Sequence, residues 1–365
     1  MNENVKKMQV SGVRKMFEMA KKMKEPVDLS LGQPDFDVPP ELKKQAKKAI
    51  DKGKNNYSQT KGIKPLRKKI KQKLNKKNKI KTSADNIIVT LGASGALSLS
   101  LTSLLNKGDE VLLIDPYFVL YKQLIIQNGA VPKFIETKND FSLKLENVKE
   151  KITDKTKAII LNSPNNPTGK IYSKKELKNL TNILKEKDIT LISDEVYEDF
   201  SYEKTNFSPG SVYENTLTIN AFSKSYSMTG WRVGYMTGPE KIIKQATKLQ
   251  QFNFVCSPKP FQYASIKALD YNNKPLIKKY KQKRDIIFNG LKENYHITKP
   301  DGAFYAFVKY PFKGKRFIEK CIENNLLVVP GNVFSEKNTH FRISFSNDNK
   351  TLKKGVEILN RIKKS

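Results

Sequence analysis

Asn86-Ile87-Ile88-Val89-Thr90 runs directly into Leu91-Gly92-Ala93-Ser94-Gly95-Ala96-Leu97. The first five residues form a short, β-branched apolar run of strand length. The next seven are small residues that lead into a helix opening near Ala93. The same alternation repeats in both directions along the chain. Val111-Leu112-Leu113-Ile114 is the next strand, with a helix after Pro116. Further strands are expected at Lys133-Phe134-Ile135, Ala158-Ile159-Ile160-Leu161, Thr190-Leu191-Ile192-Ser193, Leu217-Thr218-Ile219-Asn220 and Arg232 to Met236. Upstream, Glu41 to Lys52 and Lys64 to Lys77 carry apolar residues at helical spacing. Apolar strands separated by helices predict an α/β fold whose mostly parallel sheet is covered on both faces. After about residue 275 a long lysine-rich helix leads to strand-like segments at Phe304 to Val308, Leu326 to Val329 and Phe341 to Phe345, then to a last helix from Leu352 to Ile362. The expected division is an N-terminal arm over 1–38, a large α/β domain over 39–279 and a smaller α+β domain over 280–365.

The formal net charge of +32 invites a nucleic-acid reading. The letters weaken it. Of the 68 basic residues only Arg14, Arg67, Arg232, Arg284, Arg316, Arg342 and Arg361 are arginine; the rest are lysines spread over nearly every polar surface. The densest run, Lys64 to Lys81, is an amphipathic helix with a solvated lysine face and no interleaved aromatics. Where a lysine-rich chain still uses arginine, the planar fork suits a phosphate or carboxylate. Two cysteines, Cys256 and Cys321, read as reduced and buried, and two histidines, His296 and His340, leave no basis for a metal site. No apolar stretch reaches membrane-spanning length and no leader is evident, so a cytoplasmic protein is expected.

In an open α/β sheet, ligands bind at the carboxyl ends of the strands, and the chain's unusual residues gather there. Gly92, Ala93 and Ser94 offer a turn and a helix N-terminus suited to a phosphate. Asp115-Pro116-Tyr117-Phe118 places aromatics at the same rim, with core packing as the alternative. Asn162-Ser163-Pro164-Asn165-Asn166-Pro167-Thr168-Gly169 is a proline-fixed loop with exposed amides. Ser193-Asp194-Glu195-Val196-Tyr197 offers a carboxylate and a phenol, the carboxylate having helix capping as its bland alternative. Strand 217–220 runs into Ala221-Phe222-Ser223-Lys224, and Arg232 follows eight residues later beside the only tryptophan, Trp231.

With these motifs in order, and with Leu31-Gly32-Gln33-Pro34-Asp35-Phe36 ahead of them, the chain resembles a fold-type-I, class I pyridoxal-phosphate-dependent aminotransferase. It is similar to the bacterial and archaeal aspartate and aromatic branch almost end to end, from Ser11-Gly12-Val13-Arg14 to the final helix. The resemblance implies that Lys224 carries pyridoxal 5'-phosphate as a Schiff base and later shuttles a proton. Asp194 would face the pyridine nitrogen, and Tyr197 and Asn166 the ring hydroxyl. Phe118 would stack on the ring, which makes it part of the substrate site as well. Gly92, Ala93, Ser94 and Arg232 would hold the phosphate, with Tyr57 reaching it from the second subunit of a homodimer. Arg342, Gly32 and Asn166 would hold the substrate α-carboxylate. The implied substrates are an L-amino acid, aspartate or aromatic, and a 2-oxo acid such as 2-oxoglutarate.

The chain also departs from the pattern. Ala221 replaces a phosphate-binding serine of some relatives. Ser94 stands where some acid-specific relatives have lysine, and no dicarboxylate-binding arginine is evident near Phe254 to Lys259. Phe17, Tyr121 and Phe254 are candidates for an apolar side-chain pocket, with core packing as the alternative. A β-lyase reaction on the same fold and a basic nucleic-acid-binding role are the rival readings; no appended DNA-binding module is present to favour the latter.

Overall fold

The computed structural model describes residues 1–364. In chain order its strands are β1 (Val27–Asp28), β2 (Ile87–Thr90), β3 (Glu110–Asp115), β4 (Val131–Glu136), β5 (Thr156–Asn162), β6 (Thr190–Asp194), β7 (Thr216–Ala221), β8 (Gly234–Thr237), β9 (Tyr305–Lys309), β10 (Leu326–Leu327), β11 (Val329–Pro330) and β12 (His340–Ser344). Strands β2 to β8 build one seven-stranded sheet in the order β2-β8-β7-β6-β5-β3-β4. Its pairings are parallel from β7 through β4, while β8 runs antiparallel to both β2 and β7.

Both faces of this sheet are covered, which is why its strands read as continuous apolar runs. Successive side chains alternate between two cores. Val111, Leu113, Ile160 and Ile192 join Leu97, Leu101 and Ile243 on one face. Leu112, Ile114, Ile159 and Leu191 join Leu177, Leu180 and Leu184 of helix Lys174–Glu186 on the other. That helix opens on a full capping box, Ser173 with Glu176. Near β2, helices Pro40–Asp51, Lys64–Lys73 and Lys259–Ala268 close a third core over Ile87, Val89 and Tyr235. Helix Lys64–Lys73 is shorter than expected, because its last turn widens into a π-turn over Leu74–Asn78 that ends at Lys79 with φ of 59°.

The C-terminal strands form an antiparallel sheet, β11-β12-β9. The expected strand Leu326 to Val329 is divided at Val328: β10 pairs in parallel with β1, whereas β11 pairs with β12. Leu326 and Val329 therefore serve different sheets, a split that a uniformly apolar run does not disclose. Helices Lys274–Leu291 and Asn349–Lys364 pack on this region, and Val27 and Leu29 enter the same core as Phe317, Phe341 and Leu359.

The arrangement positions the site. The C-terminal ends of β2, β3, β5, β6 and β7 lie on one rim. Because β8 runs the other way, the residues that precede it reach the same rim from the opposite side. Arg232, expected as the first residue of a strand, instead lies just before β8 with φ of 55°.

Candidate active site

Five of those loops and the N-terminal segment enclose a cavity of about 490 Å³. Lys224, Asp194, Tyr197, Asn166, Phe118, Ala93, Ser94, Gly32, Arg232 and Arg342 all line it. Gly92 lies beneath it: with φ of 68°, a Cβ added there would sit 2.7 Å from Nη2 of Arg232. Gly234 is equally confined, since a Cβ on it would meet the Gly92 carbonyl carbon at 2.5 Å. Two glycines thus let the guanidinium lie against the turn that opens helix Gly92–Leu104.

Asp194, the last residue of β6, is buried. Its Oδ2 accepts a hydrogen bond from the Tyr121 hydroxyl at 2.8 Å, and its Oδ1 accepts one from the Val196 amide at 3.2 Å. Burial nevertheless raises its carboxyl to about 6, with the two donors and the Lys224 charge opposing the rise. Lys224 Nζ donates to the Gly32 carbonyl at 2.6 Å and lies 5.9 Å from the Tyr197 ring centroid. Burial first, then repulsion from Arg342 and Arg232, lowers its amine to about 8. Tyr197 shares a hydrogen bond of 3.0 Å with Tyr305, whose hydroxyl also donates to the Gly32 carbonyl at 3.3 Å. The Tyr197 phenol is held well above its ordinary range by burial and by the neighbouring Tyr305 and Asp194.

The Asn162 side chain ties the loops together. Its Nδ2 donates to the Asp194 carbonyl at 2.9 Å, and its Oδ1 accepts from the Asn166 amide at 2.8 Å. Asn166 Oδ1 in turn accepts from Arg342 Nη1 at 3.1 Å. Arg342 Nη2 donates to the Ser30 carbonyl at 2.6 Å, and the guanidinium lies between the rings of Tyr305 and Phe334 at 4.6 and 4.7 Å.

The charge balance distinguishes the cavity from the rest of the chain. Arg14, Arg67, Arg284 and Arg316 each have a carboxylate partner. Among the described residues, Arg232, Arg342 and the exposed Arg361 have none, and of these three only Arg232 and Arg342 line the cavity. Arg232 donates only to the carbonyls of Thr229 and Leu91, at 2.9 and 3.3 Å. Arg342 is buried, and its Nε has no hydrogen-bond partner at all among the described residues. Buried cations are ordinarily paired. These residues fit a ligand set with one anion at the helix N-terminus beside Arg232, a second at Arg342, and a protonated ring nitrogen at Asp194.

Tyr57 does not join this site within one chain; it is 78% exposed and lines no part of the cavity. Trp231 does not line the cavity and stacks on Phe261, with ring centroids 4.7 Å apart. Phe254 is partly buried against the sheet's helical core and does not line the cavity, and the side chain of Phe17 lies outside the described residues. Cys321 is buried, whereas Cys256 is only half-buried, contrary to expectation. Tyr121, read as packing or pocket wall, proves to be a donor to Asp194. Tyr305, Asn162 and the cavity position of Arg14 were not anticipated. Tyr121 lies in the first turn of the helix that Phe118 caps, and its ring meets that of Phe118 edge-on at 5.7 Å.

The fold is that of the type I pyridoxal-phosphate-dependent transferases, with its polar residues collected at the carboxyl rim of the sheet. Residues 24–359 match the family model of aminotransferase class I and II, and the chain belongs to that family. It is 39% identical over 369 residues to the probable aspartate aminotransferase of Methanocaldococcus jannaschii, covering 98% of each chain. It is 33% identical to aromatic-amino-acid aminotransferase 2 of Thermococcus litoralis, over 100% of this chain and 98% of that one. Among solved structures it resembles the Thermus thermophilus aspartate aminotransferase with maleate, with a TM-score of 0.95, 33% identity and 99% coverage of both chains. The protein is an aminotransferase, and its family implies pyridoxal phosphate as cofactor and amino and 2-oxo acids as substrates.

Proposed function

We propose that the cavity binds pyridoxal 5'-phosphate covalently through Lys224, and that the protein moves an amino group between an L-amino acid, aspartate or aromatic, and a 2-oxo acid such as 2-oxoglutarate. One observation carries this reading: a lysine, a buried carboxylate and two guanidiniums without carboxylate partners share a single cavity. Relatives named as aspartate and aromatic-amino-acid aminotransferases support the choice of substrates.

When bound, the cofactor supplies an electron-withdrawing ring that takes up the electron pair left as a proton departs from the substrate's Cα. The residues of the chain do the rest. With its amine lowered to about 8, Lys224 is neutral in roughly a tenth of molecules at pH 7, enough to act as a nucleophile. Its Nζ, when free, would carry the proton that leaves Cα. Asp194 would keep the ring nitrogen protonated. Tyr197 and Asn166 would donate to the ring hydroxyl, and Phe118 would pack on the ring. Gly92, Ala93, Ser94 and Arg232 would hold the phosphate through amide N–H groups, a hydroxyl and a guanidinium. Arg342, with Asn166 and Gly32, orients the substrate α-carboxylate.

Tyr57, exposed in one chain, reaches the phosphate of a second copy, so the working unit is a homodimer located in the cytoplasm. Residues 39–279 form the cofactor-binding domain and 280–365 the smaller one, with residues 1–38 as the arm that joins it. The test is borohydride reduction of the cofactor-loaded protein followed by peptide mapping. The cofactor mass is expected on the peptide that contains Lys224; its appearance on another lysine, or on none, would remove the basis of this reading.

A further inference from the structure

A second cavity, of about 310 Å³, lies where the carboxyl ends of β3 and β4 meet the three-stranded sheet. Asp115, Glu136 and Lys138 line it from one side, and Lys309, Lys337 and His340 from the other. None of the residues around it lines the cavity that contains Lys224. We propose that it binds a small phosphate-bearing molecule with a planar ring, of the mononucleotide kind, and that its occupancy favours substrate binding by steadying Arg342. The second half rests on the proposed function, in which Arg342 holds the substrate α-carboxylate.

Lysines alone mark nothing in a chain this rich in them. Here their partners differ. Lys337 is taken by Glu136 at 2.6 Å, and Glu136 also meets Lys144 at 3.4 Å. Lys138 and Lys309 line the same cavity and have no carboxylate partner among the described residues. The other lining carboxylate, Asp115, is buried and already occupied: its Oδ2 accepts from the Glu336 amide at 3.1 Å, and the Ser335 hydroxyl donates to it as well. Both of the chain's histidines, His296 and His340, are also here. His340 registers the excess of positive charge, because its imidazole is lowered to about 4 by burial first and then by Lys309 and His296. Uncompensated lysines on two elements around a concavity suit a phosphate, which lysine binds as a point charge.

The rest of the wall is aromatic. His340 stacks on Phe307 with centroids 4.9 Å apart and meets Phe141 edge-on at 5.7 Å, while Phe141 and Phe307 are 6.0 Å apart. A planar ring packs on such a surface through offset or edge contacts. Position then links the two cavities. His340 and Arg342 are two residues apart in β12 and so share a face of that strand, and Arg342 pairs with Phe307 of β9. Phe307 meets Phe334 edge-on at 6.3 Å, and the Phe334 ring lies 4.7 Å from the Arg342 guanidinium. The Phe334 carbonyl accepts from the amide of Tyr117, the neighbour of Phe118, at 2.8 Å. A ligand held by Lys138 on one side and Lys309 on the other clasps these contacts in place, so Arg342 is ordered before a substrate carboxylate reaches it.

The test uses the cofactor-loaded protein, with adenosine 5'-monophosphate, adenosine and inorganic phosphate as probes in calorimetry at physiological salt. The monophosphate should bind saturably, once per chain, and about tenfold or more tighter than adenosine or phosphate. The double variant Lys138→Ala/Lys309→Ala should weaken it about 10- to 100-fold. Lys175→Ala, an exposed lysine of helix Lys174–Glu186, should leave it within about twofold. Saturating monophosphate should lower KM for the better of aspartate and phenylalanine about fivefold, with kcat within about twofold, and should leave KM of the double variant unmoved. No saturable binding, phosphate as tight as the monophosphate, or equal losses in the double variant and Lys175→Ala would overturn the site. A KM that rises in proportion to the monophosphate would put it in the cavity with Lys224, and an unmoved wild-type KM would remove the link to Arg342; each overturns the inference. Protein that binds the monophosphate as expected but turns over neither amino acid would overturn the proposed function instead and leave this site standing.

Discussion

Replacing Asp194 with Asn should make the cofactor-free protein more stable at neutral pH while crippling turnover. Burial raises this carboxyl from its ordinary 3.8 to about 6, even with Tyr121, Val196 and Lys224 pulling the other way. In an unfolded chain the same carboxyl meets water and titrates near its ordinary value. At about 1.4 kcal/mol per pH unit, the difference costs the ionised folded state on the order of 3 kcal/mol. The sign follows directly. Below about pH 4 both states hold the proton and the stability is fully present; it is lost as pH rises through about 6. Asn has no proton to lose. It keeps one oxygen for either Tyr121 or Val196, and the donor left facing its amide NH2 takes back about 1 kcal/mol. The unfolding free energy of the variant minus that of wild type, measured in urea without cofactor, should therefore rise by about 2–3 kcal/mol between pH 4 and pH 7.5. With cofactor, the variant loses the negative charge opposite the ring nitrogen, and turnover should fall on the order of 10²- to 10³-fold. A stability difference that is flat across this range, or that favours wild type at high pH, would refute the view that the cavity holds an ionised carboxylate at a cost.

Tyr121→Phe removes the 2.8 Å donor to Asp194, so the pH below which cofactor affinity declines should move up by about one unit relative to wild type; an unmoved midpoint would count against the pairing. Gly92→Ala combines a left-handed backbone with a Cβ 2.7 Å from Arg232 Nη2. It should weaken cofactor binding about tenfold or more while circular dichroism stays native, and unchanged affinity would deny the close fit. Tyr57→Ala should weaken cofactor retention about 10- to 100-fold by loss of a hydrogen bond to a charged group, although the side chain is exposed in a single chain. A fully active monomer in sedimentation would end the two-copy site and leave the chemistry at Lys224 untouched.

The α/β sheet and most of its rim were legible in the sequence because a parallel sheet puts every strand's carboxyl end on one side. Thr90, Asp115, Asn162, Asp194 and Ala221 each close an apolar run, so whatever follows them must meet. What was not legible depends on contacts across the chain. Arg342 lies in β12, far from that rim in sequence, and only the resemblance pointed to it. Tyr121 looks like any aromatic on a buried helix until Asp194 is found opposite its hydroxyl. Val328 divides two sheets inside a run whose letters are all apolar. Arg14 is one of seven arginines in a chain rich in lysine, but scarcity does not say which of the seven will line the cavity. Scarcity alone would have misled elsewhere, since Arg67 and Arg284 spend their planar forks on internal carbonyls and carboxylates.

The cavity's charges also explain why its binding and chemistry are coupled. Two guanidiniums without carboxylate partners, one of them buried, are unfavourable for the protein by itself. Their repulsion adds to burial in lowering the Lys224 amine to about 8. An anion on Arg232 and another on Arg342 would neutralise both centres, so ligands relieve a cost that folding alone leaves in place. The same event changes what Lys224 experiences: with both guanidiniums screened, burial remains as the main force lowering its amine, and the carboxylate of Asp194 opposes it. Lys224 is thus a better nucleophile before the anion sites fill and a stronger base afterwards. That order suits the role proposed for Lys224, first attaching the cofactor and then accepting the Cα proton, and it requires no movement of the backbone. The arrangement gives Arg232 and Arg342 a second effect beyond the proposed binding of anions, because the charge of each also lowers the basicity of Lys224.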